Sequence, residues 1–171
     1  MNIKYEFTGE TRTWTGRTLH RIRAVRDFGD VKAGDLGGWI EKESNLSNDG
    51  DARVSGDAEV SGNAMVYGNA MVSGNARVSG RKHILWISMI GSRDDTVTFM
   101  RAKDEKIIVA VGCFGGTIDE FEKAVEETHG DNEHGKAYSL VIELAKLRID
   151  LHKEEEYDTE TGEEEKEEGC F

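Results

Sequence analysis

Proline is absent from this chain of 171 residues, and by itself that absence points to no mechanism. Cysteine is scarce: Cys113 and Cys170 stand far apart. Two such residues make no disulfide framework, and they suit a reducing cytosol. No apolar run approaches the roughly 18 residues that a membrane-spanning helix needs, and no charged-then-apolar leader opens the chain. The expectation is a soluble protein of the cytoplasm with no membrane partner. Positive charge is also in deficit, with 22 basic against 34 acidic residues and a formal net charge of −12. The deficit is local. Ten carboxylates lie between Glu154 and Phe171 against Lys166 alone, whereas the first 32 residues hold seven Lys or Arg against four acids. The length suits one domain or two small ones.

What the sequence has in quantity is repetition. Residues 52–80 read ARVSGD-AEVSGN-AMVYGN-AMVSGN-ARVSG, a gapless period of six. Ala52, Ala58, Ala64, Ala70 and Ala76 mark one position; Val54, Val60, Val66, Val72 and Val78 mark another. Residues two apart point the same way in a strand. Ser-Gly-Asn is corner chemistry, because glycine accepts positive φ and Asn or Asp tolerates the left-handed region. Each hexad is therefore expected to be one short strand and one corner, stacked as a parallel β-helix. The intervening residues Arg53, Glu59, Met65, Met71 and Arg77 point outward, with Glu59 over Arg77 as an exposed ion pair. Met65, Tyr67 and Met71 then form an apolar outer patch, an interface candidate. Scattered exposed side chains are the plainer reading.

Around the repeat, residues 2–7 alternate as a strand through Ile3, Tyr5 and Phe7, residues 8–18 read as a turn region around Trp14, and residues 18–25 as a second strand. Arg21, Arg23 and Arg26, with Arg12 and Arg17 before them, are candidates for an anionic ligand. A solvated strand face partly paired with Asp27 and Asp30 competes with that reading, and without interleaved aromatics direct nucleic-acid binding is not expected. In residues 28–48, Gly34, Gly37 and Gly38 permit tight corners, and Trp39, Ile40 and Leu46 plug the open end of the stack. This glycine cluster lacks the phosphate-loop pattern. From Ile84 the period changes to two. Residues 84–90, 96–102 and 106–113 predict a three-stranded antiparallel meander. Thr117 and Glu120 form a capping box for a helix that Gly130 closes, and a second helix is expected over 135–152.

Four residues of this C-terminal part have chemical potential: Cys113, His129, Asp131 and His134. A thiolate is stabilised near a helix N-terminus, and the Thr128–Asn132 turn offers a base and a carboxylate. A helix of about 12 residues, about 18 Å long, stands between them, so a direct Cys113–His129 contact is not expected. The spacing of His129, Asp131 and His134 matches no established zinc pattern. Turn residues that cap backbone groups are the simpler account. No catalytic residue, metal or cofactor is assigned.

The repeat resembles the left-handed hexapeptide β-helix of acyltransferases, commonly trimers with active sites between subunits. In that family three hexads make one coil, which implies that Val54 stacks on Val72, Val60 on Val78 and Val66 on Ile84. The family's histidine base has no match, since no histidine lies between Arg21 and Lys82. Residues 1–152 are also similar to a group of phage and prophage proteins of unassigned function. The likeness is carried by Gly34–Glu41, the Val-x-Gly-Asn/Asp-Ala run, Gly112–Thr117 and Thr128–Asn132. It implies a viral origin and a bacterial host cytoplasm and brings no activity.

The expected fold is mainly β. A β-hairpin and lead-in over 1–33 precede a short parallel left-handed β-helix, a hexapeptide solenoid, over 34–83. A small α+β module of a three-stranded meander and two helices follows over 84–152, then a disordered acidic tail over 153–171. The tail is read as a solubilising end or as a decoy for a basic, nucleic-acid-binding surface. The expected function is that of a non-enzymatic phage-encoded binding protein. It is read as an oligomeric inhibitor, trimer or dimer, of a host factor such as an anti-phage defence protein or its nucleotide signal. Met65, Tyr67, Met71 and Trp39 are the interface candidates. A purely structural self-associating solenoid and an acyltransferase-like enzyme are the alternatives.

Overall fold

The computed structural model describes residues 4–152. Ile3, the acidic tail and Cys170 lie outside the described residues. Strands β1 (Tyr5–Trp14) and β2 (Arg17–Ala24) form an antiparallel hairpin with Thr15 and Gly16 at its turn. The first strand thus runs through the segment expected as a turn. Its register breaks between Phe7 and Thr11, where Gly9 takes φ +91°. Strand β3 (Leu36–Ile40) pairs antiparallel with β2. Lys4 is fully buried beneath this region. Its ammonium donates to the carbonyls of Ser47 and Gly50 at 3.3 and 3.2 Å, and also to that of Ala52. Burial lowers its pKa to about 8.

The repeat supplies four two-residue strands: β4 (Arg53–Val54), β5 (Glu59–Val60), β6 (Met71–Val72) and β7 (Arg77–Val78). Partners eighteen residues apart pair in parallel, Val54 with Val72 and Val60 with Val78. The third expected partner does not form. Val66 bridges Leu46 instead, and Ile84 pairs antiparallel with Met100. The alanine and valine positions are all at most 2% exposed and share one core with Tyr5, Ile22, Ile40 and Leu46. Four corner glycines, Gly56, Gly62, Gly68 and Gly74, hold φ between 57° and 65°, whereas Gly80 sits at −142° and the repeat stops there.

The expected left-handed β-helix is corrected by the sheet arrangement. The described strands fall in three separate sheets, and none closes or coils into a solenoid. β5 and β7 extend the hairpin sheet in the order β1-β2-β3-β5-β7, while β4 and β6 form a two-stranded sheet of their own. The physical reason lies in the count. Among themselves the five hexads form only two parallel pairs, β4 with β6 and β5 with β7, and β3 beside β5 and the Leu46–Val66 bridge add little more before the pattern is replaced by longer strands.

Those longer strands are β8 (Ile84–Ile90), β9 (Asp95–Arg101), β10 (Ile107–Val111) and β11 (Phe114–Thr117), a four-stranded antiparallel sheet in the order β11-β10-β9-β8. The meander therefore has one strand more than expected. Its two faces serve two cores. Ile84, Trp86, Met100, Ile108 and Ala110 pack against the alanine and valine layers. Leu85, Ile87, Val97, Phe99, Ile107, Val109 and Val111 pack against helices α1 (Ile118–His129) and α2 (Glu133–Arg148). Thus the protein is mixed rather than mainly β, with the second sheet as a shared wall. The capping box forms as expected: the Thr117 hydroxyl accepts from Glu120 N–H at 3.3 Å, and Glu120 accepts from Thr117 N–H at 2.7 Å. Asn132 caps α2 by accepting the N–H groups of His134 and Gly135.

Candidate binding surface

The third hexad carries methionine at its outward position and tyrosine where the others carry serine. Met65 is 49% and Tyr67 52% exposed. Their side chains lie beside the start of β8, and Tyr67 meets Trp86 edge to face at 4.5 Å. Met65, Tyr67, Arg81, Ile84, Leu85 and Trp86 line a groove of about 650 Å³. Among the described residues Arg81 is its sole charged lining residue, and it is exposed. The patch expected from the sequence is therefore partly there. Met71 is not in it: its side chain is half-buried against the alanine–valine core, and its N–H donates to Thr98 Oγ1 at 3.1 Å. Trp86, Leu85 and Arg81 were not anticipated. The signal for Trp86 was its shared strand face with Ile84.

The opposite outward positions are not exposed charges. Glu59 is 3% exposed and ion-paired with Arg12 at 2.7 Å, Arg77 at 2.8 Å and Lys103 at 2.9 Å. Burial works against its ionisation, but hydrogen bonds from Arg77 and Lys103 prevail and hold its pKa below the usual value. Asp57 completes the cluster with Arg12 and Lys103, both at 2.6 Å, and those bonds bring its pKa down to about 2. In the expected solvent-exposed Glu59–Arg77 pair the carboxylate is thus buried, because Arg12 of β1 and Lys103 cover it, while Asp57 stays exposed at the edge of the cluster. Trp39 is no outer anchor either. It is 7% exposed, with the Arg12 guanidinium 3.7 Å and that of Arg21 5.3 Å from its ring.

The arginines of the hairpin are dispersed among partners. Arg23 pairs with Glu6, Arg17 with Glu41 and Arg53 with Asp30. Arg26 is exposed near the chain start. Asp27 pairs with Lys32, so neither Asp27 nor Asp30 answers Arg21 or Arg23. No convergent anion cradle arises from Arg21, Arg23 and Arg26.

Cys113 and His129, for which no direct contact is expected, both line one cavity of about 300 Å³. Cys113 lies in the Gly112–Cys113 turn between β10 and β11, not at a helix N-terminus. β11 then runs back along α1, and its four residues recover about 13 Å of the helix length. His129 ends α1 and stacks on Tyr138 at 5.7 Å. Asp131 is exposed in the turn between the helices and does not line this cavity. Among the described residues no group of three His, Cys, Asp or Glu is arranged to hold a metal ion. No described helix is long and apolar enough to cross a membrane. No protein-family model matches the chain, and no curated protein does.

Proposed function

We propose that the protein is a non-enzymatic binding protein whose groove between the third hexad and β8 receives a segment of a partner protein. The observation that carries this reading is the Tyr67–Trp86 pair, held edge to face at the groove, with Tyr67 and Met65 exposed and Trp86 half-buried. Aromatic anchors in a concave patch are the groups that dominate association energies, since they bury much area with few rotamers to freeze. Arg81 at the groove makes an acidic group next to an apolar side chain the matching chemistry. The likeness of Gly34–Glu41, Gly112–Thr117 and Thr128–Asn132 to phage proteins supports a partner in a bacterial host, such as a defence protein that is blocked by occlusion.

A photo-reactive residue in place of Met65 tests this in the host cell and leaves Tyr67 and Trp86 intact. The expected result is one host protein crosslinked in high yield, with loss of the product in Trp86→Ala and Arg81→Glu. Crosslinks that survive Trp86→Ala, or that join only two copies of this chain, would overturn it.

A second reading has its own observation. Leu140, Leu144 and Leu147 lie on one stripe of α2, opposite its buried face, at 73%, 40% and 82% exposure. A stripe at this spacing is the seam of a helix pair, and an identical stripe on a second copy completes it by two-fold symmetry.

A further inference from the structure

The hexads bond to one another in a fixed pattern. The N–H groups on either side of an inward valine donate to carbonyls seventeen residues on: Arg53 to Ala70, Ser55 to Val72, Glu59 to Ala76 and Ser61 to Val78, all at 2.9–3.0 Å. At the third hexad the same pattern would send the N–H groups of Met65 and Tyr67 to Lys82 and Ile84. Neither bond forms. Arg81–His83 turn as a short 3-10 helix, the Lys82 carbonyl accepts the Asp150 N–H at 2.9 Å, and Ile84 pairs with Met100. The last two hexads each have one of these amides capped by a side chain: Met71 N–H donates to Thr98 Oγ1 at 3.1 Å, and Ser79 N–H to His83 Nδ1 at 3.2 Å. The third hexad has neither cap. Among the described residues the Met65 and Tyr67 N–H groups meet no acceptor.

Both residues border the groove, and Ile84, Leu85 and Trp86 line its other wall. Alternate strand residues face opposite ways, so a hollow over a sheet face is lined by every second residue. Contact with three in a row places the groove along the edge of β8. That strand is outermost in its sheet and, among the described residues, pairs with β9 alone. The groove is thus a slot between two strand edges, and it offers backbone donors as well as aromatic side chains.

We propose that the partner segment binds here as an added β-strand, with two of its carbonyls, two residues apart, accepting the Met65 and Tyr67 N–H groups. This rests on the reading of the groove as the partner site and adds the backbone by which the segment is held. An extended chain spans two residues in about 6.6 Å and so matches the spacing of the two amides, whereas a helical segment has its carbonyls engaged internally. Main-chain bonds of this kind supply affinity, and side chains on alternate positions supply choice: an apolar one against Met65 and the Tyr67–Trp86 pair, an acidic one toward Arg81.

Random heptapeptides, selected on the full-length protein and counter-selected on Trp86→Ala, supply the probe. The expected result is an enriched peptide that slows hydrogen exchange at the Met65 and Tyr67 amides about tenfold or more and moves both amide proton signals downfield, as new hydrogen bonds form. Replacing Tyr67 by its α-hydroxy acid keeps the ring and removes the N–H. It should weaken the peptide about fivefold, with the melting curve as the check on folding. An enriched peptide that leaves both amides unprotected would overturn strand addition, while the groove reading, tested by the crosslink from position 65, would stand. Undiminished affinity in the ester variant, or no enrichment at all, would also overturn the proposal. Protection that grows with protein concentration in the absence of peptide would assign the slot to a second copy of this chain and overturn it as well.

Discussion

His83 shows how a single side chain sets a pH response. It is 9% exposed, and its Nδ1 accepts the N–H groups of Ser79 and Gly80 at 3.2 and 3.1 Å. Burial above all, and then the Arg101 charge, lower its pKa to about 4. The unfolded chain binds this proton near pH 6.5, before the folded one does. Stability is therefore fully present above pH 6.5 and declines as pH falls toward 4, by at most about 3 kcal/mol. Glu59 and Asp57, whose pKa values are lowered, begin to lose their contribution only below about 4.5, so the interval from pH 7 to 5 isolates the imidazole. Urea midpoints should fall over that interval, and His83→Gln should flatten the change. An equal fall in the variant would show that another group is responsible. None of this was visible in the sequence, because His83 owes its burial to the fold of residues 79–83 against Arg101.

At the scale of elements, the hexads were the most legible part of the chain. Their alanine and valine positions all reach the core, because small aliphatics two apart share a strand face. What the period could not tell is when stacking gives way. Residue 84 falls in phase with Val66, yet a longer strand claims it through the Ile84–Met100 pairing. The runs 84–87 and 107–111 are continuously apolar, which the period of two expected from Ile84 does not account for, and such runs are the sign of burial on both faces. β11 was missed because Gly115 and Gly116 are poor strand formers. The corner glycines differ in a way that mutation can read. A Cβ at Gly62 would stand 2.4 Å from the Ser79 carbonyl oxygen, whereas at Gly74 the nearest atom is Ile108 Cδ1 at 3.9 Å. Gly74→Ala should cost about 1–2 kcal/mol from the left-handed backbone alone. Gly62→Ala should cost about 3 kcal/mol or more, since backbone must also move. Equal denaturation midpoints for the two variants would contradict this steric account.

For the molecule as a whole, the binding groove was half legible. Met65 and Tyr67 interrupt a regular pattern and so announce themselves. Trp86 comes from a segment with a different period, and only the packing of the second sheet on the repeat brings it to Tyr67. The Cys113–His129 cavity was missed for a related reason, as the reversal of β11 along α1 cannot be read from helix length. If the leucine stripe of α2 joins two copies, light scattering should give twice the chain mass, and Leu144→Glu should return it to one, because a buried unpaired carboxylate is not tolerated in such a seam. A wild-type monomer at high concentration would remove that reading. The five-stranded sheet carries one more implication. On one margin its ladder is broken between Phe7 and Thr11; on the other, Ala102 bridges Ala76 and Lys103 N–H donates to the Asn75 carbonyl. Neither rim offers an uninterrupted row of free amides for templated growth, so even crowded copies should resist fibril formation despite a valine-rich interior.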